Sequence, residues 1–255
     1  MCHLSTGKTL TKANSMSLYA WLMLLSFIGP FALSFDKKVA FYKFWPGLFL
    51  GILINAILFI GWDYWFTISG VWSFSTIYTY SLRLLELPIE EWSFFFVVPY
   101  ASVFIYACLR AYFKTGLIKK LSNVINIIFM LICAVWIFLY HEKTYTLVNS
   151  SIALFVLALH HFYLKRDWMM WFWFAYFVHL IPFFIINGVL TGAITPEPVV
   201  FYNASEIIGL RLVTIPIEDS IYALSCLLIP ISIMEWWNEK KLNNSVKLKK
   251  AENFM

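Results

Sequence analysis

The sequence predicts an all-α integral membrane protein of about seven transmembrane helices, built as two parallel three-helix repeats joined by a linker helix. Three observations lead there. Of 255 residues, 61% are hydrophobic and only 13% charged, which is too little polar surface to cover a soluble globule. Apolar stretches approaching the ~20 residues that cross ~30 Å of hydrocarbon recur along the whole chain. A ten-residue phrase is also written twice, as LRLLELPIEE at 82–91 and LRLVTIPIED at 210–219.

In chain order the predicted spans are 18–33, 46–60, 92–109, 124–140, 147–164, 169–190 and 217–237. The first follows MCHLSTGKTLTKANS, whose Lys8 and Lys12 imitate the basic start of a signal peptide. No small-residue cleavage site follows, and the chain runs on into FDKKVAFYKFW, so the segment is read as a retained span. The second is short, but Trp45 before it and Trp62, Tyr64 and Trp65 after it suit the edges of a bilayer. The third and the seventh each begin at a copy of the phrase, after the long connections 61–87 and 191–215. An offset of four spans makes the repeats parallel, at about 18–112 and 147–238, with a linker helix at about 121–140 and a basic tail at 239–255. Nothing rich in Pro, Gly or Ser divides them, so residues 1–255 form one membrane domain. Parallel repeats also occur among transporters, so the symmetry does not separate enzyme from carrier.

Charge sets the expected orientation. Fourteen of the nineteen basic residues fall on one side of the seven crossings: Lys37, Lys38, Lys43, Arg110, Lys114, Lys119, Lys120, Lys165, Arg166, Lys240, Lys241, Lys247, Lys249 and Lys250. The positive-inside rule then makes the C-terminus cytoplasmic and the N-terminus external, in a cell inner (plasma) membrane, with both phrases facing outward. The net charge of +5 serves anchoring in anionic headgroups rather than nucleic-acid binding. Cys2, Cys108, Cys133 and Cys226 show no CxxC spacing and imply neither a disulfide framework nor a metal site.

Within the phrase, Leu82/Leu210, Arg83/Arg211, Leu84/Leu212, Pro88/Pro216, Ile89/Ile217 and Glu90/Glu218 are identical, and Glu91/Asp219 keeps its charge. Proline followed by acids is an ordinary helix start. A helix start needs no arginine seven residues upstream, so the copied Arg83 and Arg211 favour a functional role. Neighbouring residues on a helix point ~100° apart, so in each pair one carboxyl faces the space between the halves and the other faces the arginine. Glu90 or Glu218 then donates a proton to a carbon–carbon double bond. Its arginine-paired neighbour, Glu91 or Asp219, stays ionised to steady or deprotonate the resulting cation. Trp72 and Trp92 offer π faces to that cation. Asp63 in GWDYW, at the edge of span two, and Asn187, with a polar amide in span six, are further candidates. His160 and His161 read as a headgroup-level pair rather than metal ligands. The residues alone leave two other readings open: a lipid or carotenoid carrier using the carboxylates for proton coupling, and another acid-initiated terpenoid isomerase.

LSFDKKVAFYKFW, GWDYWFTISGVWSF, LPIEEWSFFFVVPY, NGVLTG and VVFYNASEIIGLRLVTIPIED together resemble the membrane-embedded lycopene cyclases of bacteria and archaea, which occur as two small subunits or one fused chain. They are similar also to the cyclase domain of fungal bifunctional carotenoid enzymes. The resemblance maps the family's motif acids onto Glu90, Glu91, Glu218 and Asp219. It implies acid-initiated, non-redox closure of the ψ ends of lycopene, or a related polyene dissolved in membrane lipid, into rings, with no cofactor. The chain agrees by omission. It has no GxGxxG for a flavin, no aspartate-rich cluster for magnesium on a diphosphate, and no lysine in span seven for a retinal Schiff base.

Overall fold

The computed structural model describes residues 16–114 and 118–252, with the side chains of 118–120 and 246–252 left out. Cys2, Lys8 and Lys12, and the side chains of Lys119, Lys120, Lys247, Lys249 and Lys250, lie outside the described residues.

Seven helices dominate: α1 (Leu18–Leu33), α2 (Trp45–Ile68), α3 (Ile89–Tyr112), α4 (Ile118–Leu139), α5 (Thr144–Ala158), α6 (Met169–Leu190) and α7 (Glu218–Glu252). Six reach the length and apolarity of a membrane crossing, α5 by continuing through a π-helical turn at Leu159–Leu164. α1, with 16 residues, extends about 24 Å at 1.5 Å each. Ser17 starts it by accepting the Ala20 N–H at 3.0 Å, the usual work of a hydroxyl at a helix N-cap. α2 runs eight residues past its expected end because nothing in GWDYWF breaks a helix before Gly70, which sits at φ +72°. Asp63 is therefore inside a helix and 2% exposed, not at a wet interface.

Four helices, α2, α3, α6 and α7, surround the centre. α2 packs on α7, α3 on α6, and α3 also touches α7. α1 lies outside against α3, α5 outside against α7, and α4 covers α5 and α6. Leu25, Ile57, Phe138 and Ile185 point outward and are well exposed, as suits a hydrocarbon surround. The α2–α7 seam depends on a GxxxG pair. A Cβ on Gly51 would stand 2.8 Å from the Pro230 carbonyl oxygen, and one on Gly47 would stand 2.9 Å from Trp237 Cβ. Small residues at such spacing allow two backbones to meet.

The two long connections fold alike. β1 (Trp72–Phe74), from the first, pairs antiparallel with β4 (Val200–Tyr202), from the second, with Ser73 opposite Phe201. Those two residues are 128 positions apart, the same offset as the repeated phrase, so each strand pairs with its own counterpart across a local two-fold axis. Strand alternation points Trp72 and Phe74 inward and leaves Ser73 and Phe201 outside, so this ribbon roofs the centre of the bundle. Each phrase then forms a tight hairpin, β2 (Arg83–Leu84) with β3 (Leu87–Pro88) and β5 (Arg211–Leu212) with β6 (Ile215–Pro216). The turns use left-handed backbone at Leu85, Glu86 and Val213. Each hairpin is closed by matching bonds, Ile89 N–H to Leu82 O (3.1 Å) and Ile217 N–H to Leu210 O (3.0 Å).

Candidate functional site

A helix begins within two residues of each hairpin proline, so both acids of each pair fall in a first turn, where the helix dipole favours them. Their different directions give them different work. Glu90 Oε1 accepts the Ser17 hydroxyl and the Tyr80 N–H (2.7 Å). Glu218 Oε1 accepts the Thr146 hydroxyl (2.8 Å) and the Ile208 N–H (2.6 Å). Tyr80 and Ile208 are again 128 positions apart. These first acids tie the start of the repeat's first helix, and the loop before the hairpin, to the start of its third.

The second acids turn the other way. Glu91 and Asp219 line a cavity of about 50 Å³ beneath the β1–β4 roof, together with Asp63. Glu91 Oε2 accepts the Tyr19 hydroxyl at 2.6 Å. Asp219 is more heavily held: Oδ1 accepts Tyr145 O–H (2.6 Å), and Oδ2 accepts Asn187 Nδ2–H (2.6 Å) and Tyr202 O–H (3.0 Å). Asp63 Oδ2 is buried without a hydrogen-bond partner among the described residues. Aromatic rings complete the wall, namely Trp72, Phe74, Phe94, Phe183 and Tyr222, with Trp72 edge-on to Tyr145 at 5.4 Å and Tyr145 stacked on Tyr202 at 5.8 Å. Among the described residues no lysine, arginine or histidine lines it. Burial, then the nearby Asp219 carboxyl, hold the Tyr202 hydroxyl well above the ordinary tyrosine value, so it remains a donor.

Of the residues singled out from sequence, Glu91, Asp219, Asp63, Trp72 and Asn187 meet in this cavity. Glu90 and Glu218 do not line it. The expected arginine pairing is corrected as well. Arg83 Nη1 donates to Glu86 O at 3.0 Å and Nη2 to Phe74 O at 3.4 Å, while Arg211 Nη1 donates to Thr214 O. A two-residue turn leaves carbonyls pointing outward, and the guanidinium takes them. The copied arginines are therefore hairpin staples, which explains their duplication without an ion pair. Trp92 is likewise outside the cavity, its indole N–H donating to Leu84 O at 3.0 Å to brace the same hairpin.

Sequence reasoning missed Tyr19, Tyr145, Tyr222 and Phe183. Tyr19 and Tyr145 are each the second residue of the first helix in their half, which is the signal that would have found them. A constant offset of 128 conceals it, because it sets Tyr145 against Ser17 rather than Tyr19. The position of Tyr145 is fixed from the loop before the second hairpin. Glu206 O accepts the Tyr145 N–H (3.2 Å), and the Glu206 carboxylate, bonded to Thr144, lies below the usual carboxylate range because of that bond.

A cavity holding three carboxyls and eight aromatic rings, with no cation among the described residues and a bilayer around it, suits proton chemistry on an apolar substrate. No curated protein and no solved structure gives a match to the chain. The family model for lycopene cyclase matches residues 16–109 and 142–237, the two stretches that flank α4. That match covers well over half of the chain, and the chain therefore belongs to the lycopene cyclase family, membrane-associated cyclases whose substrate is a polyene carotenoid.

Proposed function

We propose that the chain is a lycopene cyclase that converts ψ ends to β-type rings without redox change, an isomerase whose acids are contributed by both three-helix repeats to one shared cavity. The observation that carries this is the meeting of Glu91 and Asp219, the second acids of the two phrases, with Asp63 under an aromatic roof, with no counter-cation among the described residues. Three uncompensated negative charges in such a place are costly, so a proton resides on at least one carboxyl. Asp219, with three donors, is satisfied as a carboxylate. Glu91, with one, and Asp63, with an unpartnered oxygen, are left to carry the proton.

The reaction then balances. The acid protonates the terminal double bond and leaves a tertiary cation, and the neighbouring double bond attacks it, closing the ring and moving the positive charge to a ring carbon. A proton lost to Asp219 restores a double bond. One proton enters and one leaves, so product and substrate are isomers. The rings of Trp72, Tyr145, Tyr202 and Tyr222 offer π electrons to the cation. The bias of basic residues supports a site on the outer side of a plasma membrane, with the N-terminus outside and the C-terminus in the cytoplasm.

Expression in lycopene-accumulating cells, followed by pigment analysis, tests the reading. Cyclic carotenoids are expected from the wild type. Glu91→Gln and Asp219→Asn each lower ring formation by about 10²-fold or more at equal insertion. Lycopene left unchanged by the wild type, or both variants fully active, would refute it.

A further inference from the structure

A second cavity opens next to the first. It holds about 230 Å³ between α1, α3 and α6. The two share Phe94, Phe183 and Asn187 as walls. Its outer lining, including Pro30, Ala101, Pro182 and Ile186, is apolar and half-exposed, so it faces the hydrocarbon as an open groove. From Phe94, at the acid cavity, to Ile105 at its far end it follows eleven residues of α3, about 16 Å at 1.5 Å per residue. That is roughly half the thickness of a bilayer core.

Its counterpart in the other half is closed. Ser102 and His179, in the floor of the groove, bond each other at 3.0 Å. The residues 128 positions away are Pro230 and Gly51, and there the backbones of α7 and α2 are in direct contact. One half leaves a gap where the other is sealed by glycine.

We propose that the groove between α1, α3 and α6 holds the unreacted length of the polyene whose end lies in the acid cavity, that Phe94 and Phe183 form the gate between them, and that this groove is the route by which a polyene end reaches the acids. The proposal rests on the cyclase reading above. The walls shared with the acid cavity identify the occupant: a chain with its end at Glu91 has this adjoining apolar trough as its way out into lipid. A lipid acyl chain resting in the groove is the competing occupant, and the test separates the two.

Ala101→Trp and Ile186→Trp fill the groove. Ile57→Trp and Ile185→Trp, at well-exposed positions outside it and 128 residues apart, are the controls. In lycopene-accumulating cells the groove variants are expected to lose about tenfold or more of ring formation per inserted protein, with the controls unchanged. In the Glu91→Gln/Asp219→Asn background, lycopene retained on purification falls when Ala101→Trp is added. Should the tryptophan variants fail to insert, Ile186→Cys is capped with a bulky thiol reagent and loses activity relative to its own uncapped form, while the wild type given the same reagent keeps its activity. Groove variants and capped protein cyclising at the wild-type rate overturn the proposal and leave the cyclase reading intact, with lipid as the occupant. A wild type that makes no rings overturns the cyclase reading itself.

Discussion

At the scale of single residues, the two acids of each phrase separate by what they touch. Glu90 satisfies a serine hydroxyl and a backbone N–H inside the protein. Glu90→Ala strands both, at about 1–3 kcal/mol, and is expected to lower the melting temperature of the detergent-solubilised protein. Glu91→Gln keeps its size and can still accept from Tyr19, so its melting temperature stays near wild type while ring formation collapses. Equal destabilisation by the two would show that the division is wrong. The sequence singled out both pairs and the helical turns in which they lie. It did not reveal which member of a pair enters the cavity, because both copies carry both acids and the phase of a helix relative to its neighbours is a tertiary property. The arginines misled for a related reason: a duplicated charge beside a duplicated carboxylate reads as an ion pair, whereas turn carbonyls offer the same guanidinium a partner at no cost in buried charge.

At the scale of elements, the spans were legible to within a few residues where apolar runs end at turns, as at Leu33 and Leu190. Two ends were not. α2 outlasts its apolar run to carry Asp63 into the site, and α7 continues to Glu252 because its polar residues are good helix formers. Nor did the sequence show which helices would touch. The Gly47–Gly51 spacing supplies that for α2 and α7, and it is testable. Gly51→Ala pushes a methyl into the Pro230 carbonyl and is expected to cost about 1–3 kcal/mol, read as a lower melting temperature. Gly61→Ala, where a Cβ meets nothing within 4 Å, is expected to be neutral or slightly stabilising.

At the scale of the whole molecule, the halves meet through α2 with α7 and α3 with α6, and both supply the cavity. Neither half is then expected to act alone. A chain cut between His141 and Glu142, in the exposed turn before α5, is expected to regain cyclisation when its two pieces are co-expressed, and to show none from either piece alone. Activity from a single piece would mean that each repeat has its own site.

The ribbon of β1 and β4 carries a further consequence. On the proposed reading, by covering the acids on the side of the aqueous phase while the groove stays open to the hydrocarbon, it makes traffic to the site two-dimensional. Turnover then responds to the mole fraction of carotenoid in the bilayer and to the fluidity of that bilayer, and the volume of the surrounding water drops out of the rate law. On the same proposal, a molecule with two open ends leaves sideways, reverses itself among the lipids and docks again before its second ring is made, and the ratio of one-ring to two-ring product is expected to act as a clock for lateral exchange.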